Sequence, residues 1–297
     1  MKQTAKIKKF ITLKPLLACV VVYAICYFFR LIEYLVLRTD EGTLGENLVH
    51  KIAGIAIIFI VLRILHLRWR DIGFSSKHWL KNIGLGLCLG VFFYAIAYTV
   101  EFIILHCQVA SPTLKLIAGS FSLTKSNELV SVSIGFVILF NIFNVWMEEG
   151  LFRGLFVRIL QQKYTFAKAI LASALLFGLW HLAMPLRAFL DGELSWSGMV
   201  LLGAGYVLLS CLIGLKLSLL YKITGSLWLG LTDHFLNNVI INIVHIESAQ
   251  GHDKLQIVRI VLAQLLSLIF VYMIFRRAKR QNKSKITQSD DYSCPLH

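Results

Sequence analysis

The sequence predicts an all-α polytopic membrane protein with about eight transmembrane helices, and three observations carry that reading. Of 297 residues, 57% are apolar and only 15% charged, with a mean hydropathy of +0.72; a soluble domain carries about 45–50% apolar and about 25% charged residues. The apolar residues gather into runs close to the ~20 residues a helix needs to cross ~30 Å of hydrocarbon. Charge is lopsided, with 30 Lys and Arg against 16 Asp and Glu, and most of the basic residues fall between alternate runs. Only 4 prolines and 20 glycines are present, which excludes collagen-like and Pro/Gly-rich disordered material.

The runs fall at 16–37, 49–66, 82–105, 130–158, 167–186, 197–218, 226–246 and 256–275. The first follows a basic N-terminus but is long, contains charges and lacks a small-residue cleavage site, so it reads as an uncleaved span. It carries Arg30 and Glu33 at i,i+3, a spacing that predicts a structural ion pair on one helix face. Glu101 in the third run reads the same way. Lys2, Lys6, Lys8, Lys9 and Lys14 precede the first run, and Arg63, Arg68, Arg70, Lys77 and Lys81 follow the second. Arg153, Arg158, Lys163, Lys168, Lys216, Lys222 and the tail from Arg276 to Lys285 fall on the same side of an eight-span chain. Cytosolic connections collect such residues. The expectation is a multi-pass protein of the cell membrane with both termini cytosolic. The net charge of +14 then orients the chain, and no nucleic-acid partner is expected. None of the six cysteines forms a CxxC pair, so they read as small buried hydrophobes and not as a zinc or redox motif.

Ionisable residues inside spans are costly and mark candidate sites. The fourth run offers Asn141, Asn144, Glu148, Glu149 and Arg153. On a helix that continues to about residue 160, Asn141, Asn144 and Glu148 share one face, while Glu149 meets Arg153 at i,i+4. Glu149 is thereby neutralised. Glu148 has no such cation, and burial without one favours the protonated carboxyl, as suits a general base near neutral pH. The fifth run brings Phe177-Gly178-Leu179-Trp180-His181. The seventh places His234, Asn238 and Asn242 on one face at i, i+4 and i+8. Glu148, His181 and His234 fall at similar depth, which points to a wet cavity between three helices. Trp146, Trp180 and Trp228 each sit beside one of these segments and are expected to pack around that cavity.

Glu148-Glu149-Gly150-Leu151-Phe152-Arg153, then Phe177…His181, then His234…Asn238 resemble the EExxxR, FxxxH and HxxxN/D motifs of one family. It is the CAAX prenyl protease type II and bacteriocin-processing (CPBP, Abi, lysostaphin resistance protein A-like) family of intramembrane endopeptidases. The resemblance covers roughly 134–245. It divides the chain into N-terminal transmembrane helices (1–127), protease-like catalytic helices (128–250), and a last helix with a basic cytosolic tail (251–297). It implies hydrolysis of a small membrane-associated peptide or protein, in bacteriocin processing or self-immunity. By the same resemblance Glu148 and His181 activate a water, His234 and Asn238 bind the developing oxyanion, and Glu149 and Arg153 set the register of the fourth helix. No cofactor is expected. The alternative is a zinc ion on Glu148, His181 and His234, although HExxH is absent and Asn is a poor zinc ligand. The alternative function is a non-catalytic scaffold or immunity protein that retains the fold.

Overall fold

A computed structural model of the chain describes residues 2–41, 46–119 and 133–290. Helix α1 (Lys2–Leu13) buries Ile11 and leaves Lys6, Lys8 and Lys9 exposed. Pro15 opens α2 (Pro15–Ile32), at a position where its missing N–H costs no helical bond. A π-helical turn, Glu33–Leu37, extends α2. After a 3-10 turn at Thr39–Glu41 comes α3 (Val49–Leu65), which ends on a left-handed His66. Next are a 3-10 turn at Trp69–Ile72, α4 (Trp79–Cys107) and β1 (Thr113–Leu116). Helix α5 (Ile134–Glu148) then passes without a break into a π-helical segment, Glu149–Phe156, and α6 (Val157–Leu160). Helices α7 (Phe166–Trp180) and α8 (Ala183–Leu190) follow. Ser195 Oγ caps α9 (Trp196–Thr224) by accepting from the Gly198 N–H, and Gly225 closes it at φ 67°. The chain continues through α10 (Trp228–Ile243), β2 (Val244–Ser248), β3 (Gly251–His252) and α11 (Gln256–Asp290).

Six helical stretches among the described residues are long and apolar enough to cross a membrane: Pro15–Leu37, Trp79–Cys107, Ile134–Leu160, Phe166–Leu190, Trp196–Thr224 and Gln256–Gln281. The chain is therefore an all-α multi-pass membrane protein, and six of the eight expected runs form helices of spanning length. The runs at 49–66 and 226–246 form helices of 17 and 16 residues, about 25 Å long at 1.5 Å per residue and short of the ~30 Å hydrocarbon thickness. The seventh run ends as a strand and not as helix. Val244-His245-Ile246 leaves the helix and pairs as β2 with β1 (Leu116↔Val244, Leu114↔Ile246), with β3 on its other edge. Alternation of β-branched and polar residues is a strand pattern, hidden here behind an apolar run. The expected boundary at 127/128 lies outside the described residues.

Large apolar side chains such as Phe28, Phe92, Leu201 and Leu208 face outward, as a lipid solvent allows. The core is built where helices touch. Ile58, Leu62, Met147, Phe152, Phe156, Phe177 and Trp180 form its main cluster, around the π-helical segment. Close approach is set by glycine: a Cβ on Gly178 of α7 would lie 2.5 Å from Cys211 Sγ and 2.7 Å from the Val207 carbonyl of α9. Small residues at such crossings let helix backbones come together in a membrane.

Candidate active site

The site lies where α2, the α5–π junction, the end of α7 and α10 meet. Because the helix from Ile134 to Leu160 is continuous, Glu148 and Glu149 sit inside the bundle and not at its edge. Glu148 closes α5 and Glu149 opens the π-helical segment; such segments recur at functional sites. Gly154 permits this geometry, because a Cβ there would meet the Ile72 carbonyl oxygen at 2.8 Å.

Glu149 and Arg153 pair at 3.2 Å with both side chains 1% exposed. The Arg153 guanidinium also stacks 3.8 Å over the Phe177 ring. Glu149 Oε1 has a second partner, His234 Nδ1 at 2.8 Å. With Nδ1–H donated to the carboxylate, the ring orientation is fixed and Nε2 is the nitrogen presented to the site. That Nε2 stands 3.7 Å from Glu148 Oε2.

Glu148 is not the unpartnered carboxylate the sequence implied. Trp180 Nε1–H donates to Oε1 at 2.9 Å and Asn144 Nδ2 donates to Oε2 at 3.2 Å. Arg30 Nη1 of α2 stands 3.9 Å from Oε1. The cation comes from a helix 118 positions earlier in the chain, so no local spacing could reveal it. The expected Arg30–Glu33 pair is also replaced. Arg30 turns to Glu148, to His50 Nε2 at 3.1 Å and to the face of Trp180 at 4.7 Å. Glu33 turns to the start of α3, where it accepts from the backbone N–H groups of Leu48, Val49 and His50 and from His50 Nδ1 at 2.5 Å. Its carboxylate thus satisfies orphan donors of a helix N-terminus. His50 joins the two residues that had been read as partners. Trp180, expected only to pack, supplies a direct hydrogen bond.

His181 caps α7, with Nδ1 2.9 Å from the Phe177 carbonyl and its ring parallel to Tyr206 at 6.4 Å. It makes no direct hydrogen bond to Glu148 among the described residues. The Phe177 ring meets both His181 at 4.8 Å and His234 at 6.0 Å, which gathers the two histidines beside Glu148. Asn238 is half-buried, one turn beyond His234, and its Oδ1 accepts from Asn237 Nδ2 at 2.9 Å. Asn141 and Asn242 each donate to their own helix, at Val137 O and Asn238 O. Trp146 and Trp228 pack as expected, in an aromatic cluster with Trp69 and Phe74.

Glu148, His181 and His234, the residues of the alternative zinc site, are each held by protein partners. Among the described residues no three His, Cys, Asp or Glu side chains are grouped to hold a metal. The Arg30 guanidinium, 3.9 Å from Glu148 Oε1, also puts a cation where another would have to bind.

The chain gives no match among curated proteins. Residues 130–240 match the family model described as type II CAAX prenyl endopeptidase Rce1-like. The matched region contains Glu148, Glu149, Arg153, His181, His234 and Asn238, and excludes Arg30, Glu33 and His50. Over residues 130–240 the chain is therefore similar to Rce1-like type II CAAX prenyl endopeptidases.

Proposed function

We propose that the protein is an intramembrane endopeptidase that cleaves a small membrane-associated peptide by a Glu148-activated water. The single observation that supports this most is Glu148 itself, 2% exposed and held between Trp180, Asn144, Arg30 and His234 without a close ion pair. Glu148 takes a proton from the water, with His181 beside it at the end of α7. The water attacks the scissile carbonyl, and the proton passes to the leaving amine. His234, oriented by Glu149 and donating from Nε2 when protonated, and Asn238 Nδ2 stabilise the oxyanion. Such a donor contributes on the order of 3 kcal/mol to the barrier. No metal takes part. The peptide reaches the site from the bilayer or the cytosol, and both termini lie on the cytosolic side. Roles in bacteriocin processing or self-immunity suit a peptide of this class.

The test is cleavage of a farnesylated CAAX peptide bearing a fluorophore and a quencher across the scissile bond, by protein reconstituted in liposomes. Wild type cleaves it, and Glu148→Ala and His181→Ala do not while remaining folded. Equal signals from wild type and both variants would instead favour a non-catalytic scaffold or immunity protein.

A further inference from the structure

A line of buried polar side chains runs from Lys216 to Asn238, and only part of it lies in the matched region. Lys216 of α9 is 1% exposed and stands 2.5 Å from Asp233 Oδ2. Its Nζ also donates to Gln264 Oε1 of α11 at 2.7 Å. Gln264 Nε2 donates to Asn237 Oδ1 at 2.9 Å, an oxygen that the Tyr94 hydroxyl of α4 also meets, at 2.5 Å. Asn237 Nδ2 donates in turn to Asn238 Oδ1 at 2.9 Å.

Chemistry fixes the direction of this line. An ammonium group has three donors and no acceptor, and a carboxamide has one accepting end and one donating end. Lys216 therefore holds the Gln264 oxygen toward itself, which turns the Gln264 NH2 toward Asn237. Asn237 must offer its oxygen there, so its NH2 faces Asn238. Asn238 must offer its oxygen to Asn237, so its own NH2 points away, and among the described residues that group makes no hydrogen bond. A buried Lys–Asp pair is a costly way to stabilise a helix contact. Its donor-only end is what gives the line its polarity.

We infer that Lys216, Gln264 and Asn237 form a polarised relay that locks the Asn238 amide with its N–H donors presented to the site. Gln264 and Asn237 are positioning residues; neither touches the reacting atoms. The use of that donor rests on the hydrolase reading, whereas its orientation does not.

Gln264→Glu keeps size and shape but reverses the relay. Both oxygens of the new carboxylate accept, so Asn237 must turn its NH2 toward it, and Asn238 then presents an oxygen where a donor is needed. With the quenched farnesylated peptide in liposomes, kcat should fall roughly 10- to 100-fold with KM little changed, below the 10²- to 10³-fold loss typical of deleting an oxyanion donor. Gln264→Met cuts the relay without reversing it and costs less. In an Asn238→Ala background neither substitution should slow turnover further. The same six proteins (wild type, three single variants and two doubles) are melted in detergent, where in each cycle the two Tm shifts should fail to add. The inference is overturned if Gln264→Glu slows Asn238→Ala as much as it slows wild type, or if the Tm shifts add. If wild type does not cleave the peptide, the hydrolase reading fails and the melting cycle alone decides the relay by the same rule. If Gln264→Glu does not fold, Gln264→Met completes both cycles.

Discussion

Two buried charge networks in this molecule are built to different tolerances. At the far end of the bundle Arg259 of α11 donates to Glu101 of α4 at 2.8 Å and to Asp253 at 2.9 Å. Asp253 also holds His245 Nδ1 at 2.5 Å and accepts from the Ile246 N–H at 3.0 Å. Arg259 lies 4.3 Å over the Tyr98 ring, and the Tyr98 hydroxyl reaches the Val244 carbonyl. These contacts tie α4, β2 and α11 into one clamp. Around Glu148, by contrast, the charged neighbours stand back at 3.7 and 3.9 Å. A network closed by direct ion pairs commits those paired atoms to each other. One held slightly open keeps directed donors and acceptors for a reacting group, which is the preorganisation that electrostatic catalysis needs.

That contrast sets the expected effects of substitution. Glu148→Gln should remove the general base and lower turnover of the quenched peptide by about 10²- to 10⁴-fold. Its melting temperature should change little, because Arg30 keeps His50 and Tyr34 and His234 keeps Glu149. Arg259→Met should do the reverse. It strands Glu101, takes one of three partners from Asp253, and should destabilise the fold by about 3–5 kcal/mol, measured by unfolding in detergent, with turnover per folded molecule unchanged. Arg30→Gln should sit between them. It removes the cation beside Glu148 and should cost about tenfold in turnover, equivalent to about 1.4 kcal/mol of barrier, with part of the activity restored in Arg30→Lys.

The smallest effect concerns pH. Burial alone would raise the Asp253 carboxyl, but the His245 hydrogen bond, the Arg259 charge and the Ile246 N–H outweigh it and hold it below the usual aspartate range. A carboxyl depressed in the folded state contributes stability that is present above its unfolded pKa and lost as pH falls through the folded one. Melting temperature should therefore decline on acidification below about pH 4, and Asp253→Asn should flatten that decline.

The parts of the fold legible in the sequence are those that rest on short-range pattern. Apolar run lengths show the membrane class, and i,i+4 spacing correctly pairs Glu149 with Arg153. The depth of Glu148 rests on the fourth helix continuing to about residue 160, and it does so to Leu160. The runs at 49–66 and 226–246 form shorter helices, the second continued by a strand whose apolar residues resemble helix. What stayed hidden depends on contacts distant in the chain. Arg30 and Glu33 have ideal spacing for each other, yet each turns to other partners, His50 and the neighbourhood of Glu148 on one side and the α3 N-terminus on the other. Trp180 and Gln264 look like ordinary membrane residues until Glu148 and Lys216 are brought against them.

The most direct test of the account is turnover of the quenched farnesylated peptide in liposomes by Glu148→Gln and Arg259→Met, each normalised to folded protein. The account expects Glu148→Gln to be folded and inactive, and Arg259→Met to be less stable but as active per folded molecule as wild type. Cleavage by Glu148→Gln at the wild-type rate would contradict it.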